Sequence, residues 1–60
     1  MISVLVADDH AVVRRGLVHI LQDGGFRVTG QAGSAGEVLR MLRENSYDVL
    51  VLDISMPEGG

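Results

Sequence analysis

Two short runs of almost entirely apolar residues set the strongest limit on how this chain folds. The first run is Ile2–Ala7, and the second lies between Asp48 and Asp53. Strands that are covered on both faces have this unbroken apolar character, and such strands occur in parallel sheets with helices on either side. The two runs therefore predict two strands of a parallel sheet.

The residues between these runs alternate between helix and strand patterns. A first helix is predicted to end at Gly24-Gly25, because glycine permits the left-handed conformation found after many helices. Phe26–Gln31 predicts a short strand. Ser34 and Glu37 have the spacing of a capping box and predict the start of a second helix, which ends at Asn45-Ser46. Helical spacing predicts the side chains that face the sheet, which are Val13, Leu17, Ile20 and Leu21 in the first helix and Ala35, Val38, Leu39 and Leu42 in the second.

The order strand, helix, strand, helix, strand predicts one α/β domain over residues 1–60. Parallel strands joined through helices have right-handed crossovers, and the strand order 2-1-3 of flavodoxin-like folds places the two apolar runs side by side. An apolar content of 47% in 60 residues suffices for one small core. The absence of cysteine from the sequence excludes disulfides and thiolate metal sites.

Charge and hydropathy exclude two classes of function for this segment. The net charge is −3 and the 5 cationic residues form no stripe, which argues against direct binding to nucleic acid. The run Ile2–Ala7 is too short to span a membrane and lacks the flanking charge of a signal peptide. We therefore expect a cytoplasmic protein without membrane association.

Three aspartates are predicted to converge at one edge of the sheet. Asp8 and Asp9 follow the first strand and Asp53 follows the third, and open α/β sheets bind ligands at the carboxyl ends of their strands. Clustered carboxylates repel one another unless a cation neutralises them, and Mg²⁺ favours carboxylate and phosphate oxygens. Such a site is typical of phosphoryl transfer to a carboxylate, which gives an acyl phosphate.

Each aspartate also has a simpler interpretation. Asp8 or Asp9 can cap the first helix, since aspartate suits the positive end of a helix, and Asp53 can be a polar residue that ends a strand. Their coincidence at one edge favours a ligand site. His10 is expected in the first helical turn beside the aspartates, without a chemical role, and Arg14-Arg15 is expected on the solvated face of that helix.

The sequence around the aspartates resembles a known family. The stretch Val4–His10 contains Asp-Asp-His, and the stretch Asp48–Pro57 contains Asp-x-x-Met-Pro. Both are similar to the receiver domains of two-component response regulators, which have the CheY-like fold, and the resemblance extends over essentially the whole chain. It includes features of the NarL/LuxR-type subfamily, whose members carry a C-terminal DNA-binding helix-turn-helix domain.

The resemblance implies a role for each acidic residue. Asp53 would accept a phosphoryl group from a sensor histidine kinase. Mg²⁺ would be held directly by Asp9 and Asp53, through water by Asp8, and by the backbone carbonyl of Ser55. A receiver of this kind is a phosphoacceptor rather than an enzyme, and it controls transcription through a DNA-binding domain that residues 1–60 do not include.

The resemblance also implies that residues 1–60 are the N-terminal portion of a single receiver domain. Receivers have five strands, with a switch Ser or Thr after the fourth and a lysine after the fifth, whereas this sequence predicts three strands and contains no lysine. In a 2-1-3 sheet, Val49–Leu52 forms an apolar edge that no charge interrupts, and unprotected apolar edges pair with other chains. We therefore expect self-association along this edge.

Three other functions remain as alternatives. The chain can act only as a self-associating interaction module. An aspartyl-phosphate hydrolase of the haloacid-dehalogenase type requires a second aspartate two residues after Asp53, where Ser55 stands. A cobalamin-binding module has an Asp-x-His-x-x-Gly loop, which Asp8 and His10 begin, but Val13 occupies the glycine position.

Overall fold

A computed structural model describes residues 1–53, and the structural statements that follow concern those residues. The elements alternate as β1 (Ser3–Ala7), α1 (Ala11–Asp23), β2 (Arg27–Ala32), α2 (Ala35–Glu44) and β3 (Val49–Leu52). The strands form one parallel sheet in the order β2-β1-β3. The predicted α/β class and the 2-1-3 strand order are confirmed.

The central strand β1 carries the core of the sheet. Residues Val4–Ala7 are buried almost completely. Successive residues of a strand point to opposite faces, so Leu5 and Ala7 share one face. There they pack against Val38 of α2, with Met41 and Tyr47 beside them. The prediction that this apolar run is covered on both faces is confirmed.

The end of α1 explains why β2 begins one residue later than the sequence predicts. Gly25 has a φ of 90°, and its N–H donates to the carbonyl of Gln22 at 3.1 Å. The N–H of Phe26 donates to the carbonyl of Leu21 at 3.0 Å. These two bonds form a Schellman motif, which satisfies the last carbonyls of a helix. Phe26 therefore completes the end of α1, and β2 starts at the next residue.

The start of α2 has the predicted capping box with one variation. The Oγ of Ser34 accepts a hydrogen bond from the N–H of Glu37 at 3.2 Å. The Glu37 carboxylate accepts from the N–H of Gly33 at 3.2 Å, one residue before the N-cap. The side chain of Glu37 thereby fixes the loop between β2 and α2 as well as the helix end.

The helix faces are rotated from those that simple spacing predicts. In α1 the partly buried positions are Arg14, Leu17, Val18 and Leu21, whereas Val13 and Ile20 are exposed. In α2 the side chains of Ala35, Val38 and Met41 turn inward, whereas Leu39 and Leu42 are exposed. The predictions for these four exposed residues were wrong. Several faces of each helix contain apolar residues, and contacts with the sheet and its loops select which face is buried. Neither helix is long and apolar enough to cross a bilayer.

The strand β3 is an edge strand of the sheet within residues 1–53. Its residues Val49, Leu50 and Leu52 are between 39% and 48% exposed. The apolar run of β3 predicted that other elements would bury both of its faces. Within residues 1–53 this burial is only partial. The three strands are therefore buried to different depths, although β1 and β3 are almost identical in apolar character.

Candidate functional site

The carboxyl ends of β1 and β3 hold the three predicted aspartates side by side. Asp8 and Asp9 follow β1 and Asp53 follows β3, where its N–H donates to the carbonyl of Ala7 at 3.0 Å. One carboxylate oxygen from each aspartate and one nitrogen of His10 lie within 4.8 Å of one another. The predicted convergence of the three carboxylates is confirmed.

Asp8 is a firmly held residue of this acidic cluster. Only 3% of it is exposed. Its N–H donates to the carbonyl of Ala32 at 3.0 Å, and its Oδ1 accepts from the N–H of His10 at 2.8 Å. Its own carbonyl accepts from Nη1 of Arg14 at 2.7 Å. Because both the backbone and the carboxylate are hydrogen-bonded, the orientation of Asp8 is fixed by the protein alone.

Arg14 contacts the acidic cluster, although the sequence predicted otherwise. It was expected on the solvated face of α1, and instead it is partly buried and reaches back to the carbonyl of Asp8. Its guanidinium also lies against Gly33, since a Cβ at Gly33 would be 3.3 Å from Nη1. The available signal was the position of Arg14 in the first turn of α1, because helical side chains lean toward the N-terminus and a long one reaches the preceding loop.

His10 is the N-cap of α1 rather than a residue of its first turn, and its side chain makes no capping bond. The imidazole is 68% exposed, with Nδ1 2.9 Å from Oδ1 of Asp9 and 3.5 Å from Oδ1 of Asp8. Asp8 accepts from the N–H of the N-cap residue itself, so neither Asp8 nor Asp9 is the N-cap. The simpler interpretation of these two aspartates as helix caps was wrong.

The donor set of the acidic cluster fits a hard divalent cation. Mg²⁺–oxygen distances place opposite ligands of an octahedral ion about 4.2 Å apart, close to the 4.8 Å limit within which the Asp8, Asp9 and Asp53 oxygens lie. Imidazole is a poor ligand for Mg²⁺, and the His10 nitrogen is directed at Asp9. The three carboxylates therefore suit Mg²⁺ together with water, and the fourth predicted ligand, Ser55, lies outside the described residues.

The chain is similar over nearly its whole length to known proteins. Residues 4–60 match the family model for the response regulator receiver domain. Over 58 residues, the chain is 48% identical to the response regulator GacA of Pseudomonas syringae pv. syringae (strain B728a) and 43% identical to the response regulator UvrY of Escherichia coli (strain K12). Both matches cover 95% of this chain and 27% of the relative.

A relative with a different name matches the same part of the chain. The protein-glutamate methylesterase/protein-glutamine glutaminase 3 of Hahella chejuensis (strain KCTC 2396) is 44% identical over 55 residues, which cover 92% of this chain and 16% of that protein. The chain therefore spans 27% of the length of the response regulators that it matches. It spans 16% of the length of the methylesterase.

Proposed function

This chain belongs to the response regulator receiver domain family, and we propose that Asp53 is its phosphoacceptor in two-component signalling. The observation that carries the proposal is the cluster of Asp8, Asp9 and Asp53 at the ends of paired parallel strands, with carboxylate oxygens within 4.8 Å. The family match also favours this function over the hydrolase and cobalamin alternatives.

The proposed reaction transfers a phosphoryl group to the Asp53 carboxylate. A carboxylate oxygen attacks the phosphorus of a phosphohistidine, the phosphorus–nitrogen bond breaks, and an acyl phosphate forms on Asp53. The histidine nitrogen keeps the electron pair of the broken bond. The negative charges of Asp8 and Asp9 oppose the approach of the phosphoryl group, and Mg²⁺ held by this cluster would supply the positive charge that offsets the repulsion.

We assign Asp9 and Asp53 as direct ligands of Mg²⁺ and Asp8 as a ligand that acts through water. The side chain of Asp9 is 28% exposed and accessible to an ion from solvent. Asp8 is buried, and its Oδ1 already accepts a backbone hydrogen bond at 2.8 Å, which supports a less direct role. The backbone carbonyl of Ser55 completes the proposed set.

The remaining parts of the proposal concern the larger protein. We propose that residues 1–60 are the N-terminal portion of one receiver domain and that a sensor histidine kinase is the donor. The NarL/LuxR-type features support control of transcription through a separate DNA-binding domain. The cytoplasmic location expected from the sequence belongs to the same proposal. We propose that this chain is a phosphoacceptor and not an enzyme, since the methylesterase relative matches over only 16% of its own length.

The proposal is tested by phosphorylation with acetyl phosphate and Mg²⁺, read by intact mass and by lability of the adduct to hydroxylamine, which cleaves acyl phosphates. The residues 1–60 chain and the full-length response regulator are compared with their Asp53→Asn variants. Asp23→Asn is the matched control, because Asp23 is an exposed aspartate at the far end of α1.

We expect a hydroxylamine-labile adduct on the full-length protein and on its Asp23→Asn variant, and none on Asp53→Asn. Incorporation that persists in full-length Asp53→Asn contradicts the assignment of the phosphoacceptor. Incorporation in the full-length protein alone supports the assignment and indicates that residues beyond the chain complete the reaction.

A second proposal is self-association through β3, which the exposure of Val49, Leu50 and Leu52 supports. An apolar edge strand with unpaired N–H and carbonyl groups can pair with the same strand of a second copy. We expect the sedimentation coefficient of the chain to rise with concentration and Leu50→Lys to abolish this rise. A folded monomer whose sedimentation does not change with concentration contradicts the proposal.

A further inference from the structure

A compact set of hydrogen bonds joins Ser3 and Asp48 at the amino ends of β1 and β3, opposite the acidic cluster. The Asp48 carboxylate accepts from the N–H of Ser3 at 2.8 Å and from its hydroxyl at 3.2 Å. The N–H of Asp48 donates to the carbonyl of Ser3 at 3.0 Å and to its Oγ at 3.2 Å. We call this set the Ser3–Asp48 clamp.

The apolar side chains of these strands specify only weakly how β3 aligns with β1. A strand register is strongly specified when one face is apolar and the other polar, because a slip of one residue exchanges the faces. Val4–Ala7 and Val49–Leu52 are apolar on both faces. A slip of one residue therefore pairs apolar with apolar again, and the packing energy distinguishes the two registers weakly.

We propose that the Ser3–Asp48 clamp sets the register of β3 against β1 and so positions Asp53 beside Asp8. Pairing is unbroken from Val4↔Val49 to Ala7↔Leu52. Asp8 follows Ser3 by the same number of residues as Asp53 follows Asp48. The alignment at the clamp is therefore reproduced at the acidic cluster.

A slip at the clamp has a defined consequence at the acidic cluster. Moving β3 by one residue displaces Asp53 by about 3.3 Å along the strand and turns its side chain to the other face. After such a slip Asp48 lies opposite Ile2 or Val4, and neither residue has a hydroxyl group. The two clamp bonds that involve the Ser3 hydroxyl therefore form in one register only.

The charge of Asp48 is consistent with a firm set of hydrogen bonds. The bonds from the backbone and then the hydroxyl of Ser3 lower the pKa of Asp48 below its ordinary value of 3.8, and the N-terminal amino group acts in the same direction. Desolvation acts in the opposite direction. The carboxylate is thus ionised at neutral pH, where it is the stronger acceptor.

Asp48 and Ser3 are positioning residues in this inference, which rests on the proposed function for the role of Asp53. The test measures Mg²⁺ affinity by calorimetry in the full-length response regulator with Ser3→Val, Ser3→Thr, Asp48→Ala and Asp23→Ala. Valine and threonine have nearly the same shape and both favour strands, so this pair isolates the hydroxyl group. Asp23→Ala controls for the loss of one remote negative charge.

We expect Ser3→Val and Asp48→Ala to weaken Mg²⁺ binding roughly tenfold, the size of effect seen when support of a metal ligand is removed. Ser3→Thr and Asp23→Ala are expected to bind Mg²⁺ as the parent does. If Ser3→Val and Ser3→Thr bind Mg²⁺ equally, the inference is overturned. A lower free energy of unfolding in Ser3→Val with unchanged affinity overturns it as well, since that is the result of a purely stabilising role.

A second measurement needs no metal and separates this inference from the proposed function. Interstrand NMR contacts report directly whether Ala7 still lies opposite Leu52. If the parent fails to bind Mg²⁺, the proposed metal site is refuted, and the register in Ser3→Val decides the inference by itself. Loss or displacement of the Ala7–Leu52 contact supports the clamp, and an unchanged contact overturns it.

Discussion

The two neighbours of β1 are aligned by different physical means. On one side β2 pairs with an irregularity, so that Val4 lies opposite Val28 but Leu5 lies opposite Gly30. On the other side β3 pairs without interruption and begins at the Ser3–Asp48 clamp. The alignment of β2 with β1 depends on the shape of the core, and the alignment of β3 with β1 depends on hydrogen bonds at the strand ends.

The cause of the difference is burial. A Cβ at Gly30 would lie 2.7 Å from Oη of Tyr47, 2.8 Å from Cε of Met41 and 3.0 Å from Cδ1 of Leu5, so a larger residue there would require the ends of these side chains to shift. The residues of β3 are too exposed to be selected in this way, since Leu50 is 39% exposed. Within residues 1–53 both neighbours are edge strands, but β2 has buried positions at Gly30 and Ala32 and β3 has none. Steric fit can therefore align β2, whereas β3 needs directional bonds.

The largest predicted difference is between truncating a leucine in the central strand β1 and truncating one in the edge strand β3. Leu5→Ala is expected to lower the free energy of unfolding by about 2–5 kcal/mol, because Leu5 is fully buried. In the monomer, Leu50→Ala is expected to lower it by about 1 kcal/mol, since much of that side chain is already in water. Urea denaturation at several protein concentrations measures both. Equal losses would mean that β3 is as deeply buried as β1, as expected for a self-associated state.

A smaller effect is predicted for Gly30→Ala, which is expected to lower the free energy of unfolding by about 1–3 kcal/mol because the added methyl group overpacks the core. Gly16→Ala is the matched control. A Cβ at Gly16 meets nothing within 4 Å, and alanine in a helix interior raises stability by about 0.5–1 kcal/mol. Thermal unfolding followed by circular dichroism compares the two variants. If Gly30→Ala and Gly16→Ala change stability equally and in the same direction, steric fit does not determine the alignment of β2.

The smallest effect is a pH dependence of stability on the β3 side. Since Ser3 lowers the pKa of Asp48 in the folded state below 3.8, the stabilisation is fully present above the unfolded pKa and is lost as pH falls through the folded pKa. The unfolding free energies of the parent and Asp48→Asn are expected to converge as pH decreases through this range. A difference that stays constant with pH would show that the charge of Asp48 adds nothing to the clamp.

Predictions from local signals were correct, and most of the errors concern contacts between elements. Gly25 ends α1 and Ser34 begins α2 as predicted, because helix caps depend on a few neighbouring residues. The 2-1-3 strand order is that of flavodoxin-like folds, and the predicted convergence of Asp8 with Asp53 depended on it. The element order and the handedness of crossovers alone do not select this order.

The buried helix faces were predicted only in part, and the Ser3–Asp48 clamp was not predicted. Val13 and Leu17 are equally apolar in the sequence, and only contact with the sheet determines that Val13 remains 50% exposed. Ser3 and Asp48 are 45 residues apart, and their hydrogen bonds become apparent only when the two strands are placed together. The phosphoacceptor and metal-ligand assignments remain predictions.

The bond from Arg14 to the Asp8 carbonyl makes two neighbouring arginines unequal. Arg15 is exposed, whereas Arg14 joins α1 to the loops that follow β1 and β2. The outer surface of α1 can therefore be redesigned or diversified at Arg15 without disturbing the acidic cluster. Arg14→Lys conserves the charge but would disturb the contacts with both loops, because lysine cannot reproduce the planar fork of a guanidinium.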